Sequence, residues 1–155
     1  MIGHLQRNKL RRTLPLISLL HSADSLRLID EVEQQAAGLA RPLDALIEVN
    51  VSGDDEKHGF KPEEVQYVVA QLGEYQHVNF RGLMCMGARQ GGAEGARRNF
   101  AALRELRDRL RRDCPDRMTL DELSMGMSGD YEAAVEEGAT IVRVGSALFR
   151  GIVDE

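Results

Sequence analysis

With 155 residues, 43% of them hydrophobic, and a net charge of −5, the chain has the size of one domain and enough apolar mass for a core. These values exclude a disordered tract, and the acidic balance argues against a nucleic-acid-binding protein, which would carry a basic patch. No apolar run reaches membrane-spanning length and no signal peptide opens the chain, so the expected location is the cytoplasm.

Met1, Ile2 and Gly3 read as the tail of an apolar strand. Residues 5–12 leave room for a short helix ended by Pro15, and residues 16–20 form the next apolar run. After Asp24, the residues Leu28, Ile29, Val32 and Ala36 share one helical face. Residues 43–51 are a second long apolar run. Pro62 then sits well at a first helical position, with Glu63 and Glu64 near the positive end of the helix dipole. Val65, Val68, Val69 and Leu72 continue that helix, and Gly73 can close it. Residues 80–86 are the next strand candidate. Phe100, Leu103, Leu106 and Leu110 stripe an arginine-rich helix. Residues 120–123 and 141–144 are the last apolar runs. Between them Tyr131, Ala134 and Val135 form a helical stripe closed by Gly138, and a short final helix covers residues 147–149.

Short apolar runs bounded by Gly, Ser, Asp or Asn are how strands buried on both faces of a parallel sheet read. Their alternation with helices predicts an α/β fold of about six βα units. A doubly wound sheet would accommodate that number. A complete eight-stranded (β/α) barrel needs roughly 200 residues or more, so this chain would make an incomplete one. No repeat or inter-domain linker interrupts residues 1–155, which read as a single domain.

The stretch LSMGMSGD, residues 123–130, follows an apolar run and precedes a helix. Its hydroxyls, exposed N–H groups and helix start make a phosphate cradle, with Gly126 and Gly129 allowing close approach of a ligand. Spacing alone favours a simpler role, with Ser128 or Asp130 as the helix N-cap. In IVRVGSALF, residues 141–149, Arg143 interrupts an apolar strand. A buried guanidinium must be partnered, so Arg143 either pairs with a carboxylate or faces a polar ligand at the strand end. Loops after the last two strands of a barrel often bind phosphate.

Other features carry less. Cys85 and Cys114 form no CxxC, and Cys85 reads as a small buried hydrophobe. His4, His21, His58 and His77 are scattered without ligand spacing, so no metal site is expected. GARQGGAEG, residues 87–95, lacks the lysine of a phosphate-binding loop and reads as a flexible loop. The arginines of residues 97–112 alternate with Glu105 and Asp108, as on a solvated helix face. The lysines are Lys9, Lys57 and Lys61 alone, and Lys57 reads as a solvated loop residue near a strand end.

Five motifs in order resemble the pyridoxal-phosphate homeostasis family. They are IGHLQRNK (residues 2–9), HSADSL (21–26), EVNVSGDDEKHGF (48–60), FRGLMCM (80–86) and SMGMSGDYEAAVEEGATIVRVGSALF (124–149). The resemblance implies a TIM-type (β/α) barrel of the alanine racemase N-terminal-domain kind. It implies pyridoxal 5'-phosphate as cofactor, with Ser124, Met125, Ser128, Gly145 and Ser146 around the phosphate and Arg143 facing the pyridine nitrogen. His4 and Asn50, at other strand ends, would line the same mouth or serve local hydrogen bonding. An arginine can only donate, so the ring nitrogen stays unprotonated and the ring is a weaker electron sink. That suits a cofactor carrier better than a strong catalyst. An amino-acid racemase of the same barrel type is the alternative, and it would need a second base from another domain. A non-functional gene product is a third reading. Two departures stand out. The family has two strands before the IGHLQRNK segment, the first bearing the lysine that joins the cofactor aldehyde, so this sequence looks N-terminally truncated. Arg150 stands where the family usually has glycine. A homodimer would cover the open sheet edges.

Overall fold

The computed structural model describes residues 1–54, 57–87, 92–149 and 151. Arg150 and the centre of the glycine-rich stretch, residues 88–91, lie outside the described residues. The five strands are β1 (Leu19–Ala23), β2 (Leu43–Glu48), β3 (Val78–Met84), β4 (Glu122–Met127) and β5 (Ile141–Arg143). They form one parallel sheet in the order β1-β2-β3-β4-β5. The order never reverses. With right-handed crossovers, an unreversed order puts every helix on the same face, and the sheet curls into part of a barrel. A doubly wound sheet needs a reversal and is excluded.

Before β1 lies α1 (Leu10–Thr13), and between the strands run α2 (Leu26–Ala36), α3 (Val65–Leu72), α4 (Gly92–Leu110) and α5 (Tyr131–Glu136). Among the described residues, no helix is long and apolar enough to cross a membrane. In α2 the Ser25 hydroxyl accepts from the Leu28 N–H, satisfying one of the first-turn donors, and the predicted face of Leu28, Ile29, Val32 and Ala36 is buried. At α3, Glu64 reaches back to accept from the Lys61 N–H at 3.0 Å, so Pro62 lies in a capped turn just before the helix rather than inside it. In α4, Phe100, Leu103, Leu106 and Leu110 are buried as their spacing predicts.

Three boundaries differ from the sequence reading, each for a local reason. Pro15 sits in a 3₁₀ turn, Leu14–Leu16, which leaves Leu16 84% exposed and starts β1 only at Leu19. Leu120 adopts φ +48°, a kink after which β4 begins, so the SMGM segment is strand rather than loop. In α5, Ala133 and Ala134 are buried while Val135 is 56% exposed, shifting the buried stripe from the predicted one. Instead of six strands there are five among the described residues. The opening segment lies along β1, with the Met1 N-terminus donating to Leu19 O and the His21 N–H donating to Met1 O, without becoming a strand.

Side chains alternate across the sheet. Leu43, Ala45, Ile47 and Val49 on and just past β2, Phe80 and Leu83 on β3, and Leu123 and Met125 on β4 join the helices in one core. The opposite, concave face carries His21, Glu48, Ser124 and Arg143, all buried. The curl is tight enough for His21 on β1 to hydrogen-bond Ser124 on β4, with two strands between them in the sheet.

Candidate functional site

Ser124 anchors the concave face. Its hydroxyl meets His21 Nδ1 at 2.8 Å and accepts from Arg143 Nη1 at 2.7 Å. Arg143 Nη2 donates to the Cys85 carbonyl at 2.8 Å. Arg143 therefore takes neutral oxygens as its near partners, with Glu48 acting on it only through space. Burial is the main influence on this guanidinium and lowers its pKa, but an arginine stays charged. Burial pushes the Cys85 thiol up to about 12, so it stays an unreactive S–H. Burial, then the positive charges of the N-terminus and Arg143, brings His21 down to about 4. His21 is neutral at pH 7, one ring nitrogen held to Ser124. Glu48 goes the other way, up to about 7, through burial and then repulsion from Asp24.

Just beyond the ends of β4 and β5, the Ser128 hydroxyl accepts from the Gly145 N–H at 3.1 Å and the Ala147 N–H at 3.2 Å. It does not cap α5. Asp130 occupies that N-cap, and its carboxylate turns back to accept from the Met127 N–H at 2.6 Å. Gly145 has open space where a Cβ would stand, and Gly145 and Ser146 are exposed. Two amide donors thus converge on one oxygen at an accessible corner, the arrangement that an anionic oxygen needs. Gly126 serves a different purpose from the one its sequence context suggests. Its φ is +90° and a Cβ there would lie 2.5 Å from Ala134 Cβ, so its missing side chain admits α5.

The remaining nominated residues separate. The Met125 side chain is fully buried in the helix-facing core, leaving only its backbone for the site. Asn50 donates to Asp54 O at 2.7 Å and accepts from Ser52, within its own loop. His4 meets Asp24 Oδ2 at 2.8 Å and stacks on His58, centroids 4.2 Å apart. Lys57 is no free loop residue: its Nζ donates to Ser52 Oγ at 3.1 Å and Gly87 O at 2.9 Å, joining the loops after β2 and β3. Sequence reasoning missed His21, Asp24, Glu48 and His58. The available signal for His21 and Glu48 was a polar residue at an inward position of a strand, the same signal that singled out Arg143.

The alanine racemase N-terminal domain family matches residues 2–152. A curated pyridoxal phosphate homeostasis protein of Aquifex aeolicus is 43% identical over 148 residues, covering 96% of this chain and 64% of its own. This chain therefore spans somewhat less than two thirds of that relative. The solved structure of PipY from Synechococcus elongatus without pyridoxal phosphate superposes with a TM-score of 0.88 at 36% identity, covering 95% of this chain and 68% of PipY. A second PipY structure, with pyridoxal phosphate bound, gives 0.85 at 34% identity over the same shares. Shared motifs, the curled parallel sheet and these matches agree: the chain belongs to the alanine racemase N-terminal domain family, on its pyridoxal phosphate homeostasis branch.

Proposed function

We propose that this chain binds pyridoxal 5'-phosphate at the C-terminal ends of β4 and β5 and serves cofactor homeostasis without strong catalysis. The observation that carries the reading is the convergence of the Gly145 and Ala147 N–H groups on Ser128 Oγ beside the buried Arg143. Ser128, Gly145 and Ser146 would hold the phosphate, with the backbone of Met125 and Ser124 behind them. Arg143 has five N–H donors, and two bonds to described partners leave others for a ring nitrogen. The cofactor supplies an aldehyde and an electron-accepting ring; a donor-only arginine at the ring nitrogen keeps that ring unprotonated and mild. His4 and Asn50 would stand at the rim of the mouth.

One sheet and one hydrophobic core support reading residues 1–155 as a single partial barrel domain. The free thiols of Cys85 and Cys114 suit a cytoplasmic location. The exposed Val142, Leu148 and Phe149 beside the β5 edge suit a homodimer that covers it. The net charge of −5 suits a small-molecule partner rather than nucleic acid.

The test is a titration with pyridoxal phosphate followed by absorbance, with inorganic phosphate as competitor. Native protein should saturate and be displaced by phosphate. Ser146→Asp, which sets a carboxylate beside the cradle, should weaken binding about tenfold or more through like-charge repulsion. Equal affinities for the two proteins would overturn the placement.

A further inference from the structure

The loops after β1 and β2 gather a second set of polar groups, away from the Ser128 cradle. His4 comes from the segment before α1, Asp24 from the end of β1, and His58 from the loop after β2. Their potential ligand atoms all lie within 4.8 Å of one another. We propose that His4, Asp24 and His58 form a binding site for a divalent transition metal of the zinc type at the mouth of the sheet. The proposal shares His4 with the rim of the cofactor mouth but uses none of the groups of the Ser128 cradle.

Each ligand is placed by the fold. Asp24 follows β1 directly, and its side chain is only 5% exposed, so its carboxylate is fixed. Its second oxygen, Oδ1, accepts from the Ser25 hydroxyl at 3.1 Å, which orients the carboxylate as outer partners orient metal ligands. His58 is held by its neighbour Gly59, whose φ of +106° presses the loop onto β2. A Cβ there would lie 2.9 Å from Glu48 O and 3.0 Å from Asn50 N. The Phe60 N–H then donates to Glu48 O at 2.9 Å, so His58 stands at the end of β2 facing His4. Both histidines are exposed, so their rings can tilt from the stacked arrangement. In a tetrahedral site with metal–ligand bonds of about 2.0–2.2 Å, ligand atoms lie roughly 3.3–3.6 Å apart. A modest contraction of two mobile rings onto one fixed carboxylate achieves this, with one position left for water.

Glu48, 3% exposed, lies on the neighbouring strand β2 and senses the charge of Asp24. Asp24 disfavours the charged form of Glu48, while Arg143 and then His4 favour it. Two imidazoles and one carboxylate suit zinc, cobalt or iron(II) rather than magnesium or calcium, which prefer all-oxygen sites.

The experiment titrates metal-stripped protein, without pyridoxal phosphate, with Co²⁺ followed by its visible d–d absorption and with Zn²⁺ by calorimetry. The expected result is one ion per chain. His58→Ala and His4→Ala should each weaken binding tenfold or more, and His77→Ala, at the distant pair with Glu33, should leave it unchanged. Native binding no tighter than that of His58→Ala, or equal loss in His77→Ala, would overturn the site. Because Asp24 is buried and its variant can fail to fold, the native protein supplies a second readout. Amide signals broadened by Co²⁺ should cluster at residues 4, 24 and 58, and broadening spread over all surface histidines would overturn the assignment. Failure here leaves the phosphate competition at Ser128 untouched, and failure there leaves this titration untouched.

Discussion

On the convex face of the sheet, Ala45, Ile47, Phe80, Leu123 and Met125 meet the helices in an apolar core with nothing polar to satisfy. On the concave face, His21, Glu48, Ser124 and Arg143 are equally buried but held by directed hydrogen bonds and opposed charges. The same five strands present both. Burial on the first face produces stability, because each apolar group leaves water without a compensating cost. Burial on the second produces chemical poise, because each polar group is stable only in the protonation state and orientation that its neighbours enforce. Substitutions should therefore act differently on the two faces.

The largest effect is expected on the convex side. Phe80→Ala removes a fully buried ring and should cost about 3–5 kcal/mol in chemical denaturation. A loss below about 1 kcal/mol would mean that the helix layer is loose and the contrast between the faces is wrong.

The concave face should reveal itself through pH. Glu48, pushed up to about 7 from 4.5, holds its proton more tightly when folded. Its contribution is present below 4.5 and lost as pH rises through about 7. His21, brought down to about 4 from 6.5, holds its proton less tightly when folded. Its contribution is present above 6.5 and lost as pH falls toward 4. Each term is on the order of 3 kcal/mol across its window. Between pH 4.5 and 6.5 the two slopes have opposite signs and should nearly cancel. Glu48→Gln should uncover stability that rises with pH in that window, and His21→Gln stability that falls. Parallel pH profiles for both variants and the native protein would show that these groups are not buried in their assigned states.

Arg143→Met should fall lower on the scale. It leaves Ser124 its His21 partner but deprives the Cys85 carbonyl of a buried donor, a loss of about 1–3 kcal/mol. Pyridoxal phosphate affinity should drop in the same variant. A variant that loses stability but binds the cofactor unchanged would confine Arg143 to a structural role.

The two faces were also unequally legible in the sequence. The convex one could be read closely, because Leu28, Ile29, Val32 and Ala36 or Phe100, Leu103, Leu106 and Leu110 repeat at helical spacing, a local signal. Strand ends were harder, since Pro15 and the kink at Leu120 displace β1 and β4 from the apolar runs that announce them. Arg143, Ser128 and Gly145 were nominated because they fall in contiguous motifs. His21 and Ser124, or His4, Asp24 and His58, meet only after the sheet curls, at separations such as 103 residues for His21 and Ser124. No spacing rule within one segment reports such a meeting. Met125 shows a further limit: strand alternation sends its side chain into the core, so only its backbone can serve the nominated role.

The smallest effect on stability should come from Ser128→Ala, and it discriminates most finely. The Ser128 hydroxyl engages the Gly145 and Ala147 N–H groups at a half-exposed corner. Water can replace it there, so the cost should stay below about 1 kcal/mol. Its effect on phosphate binding should be larger, because the hydroxyl both aligns the two amides and can donate to an anionic oxygen itself. Affinity for inorganic phosphate should therefore fall several-fold while the denaturation midpoint barely moves. If affinity instead rises, Ser128 is a plug that the phosphate must displace, and the amides alone form the cradle. If neither changes, the anion does not bind at this corner, and the convergence of the two N–H groups serves only to fasten the turn after β5 to the end of β4.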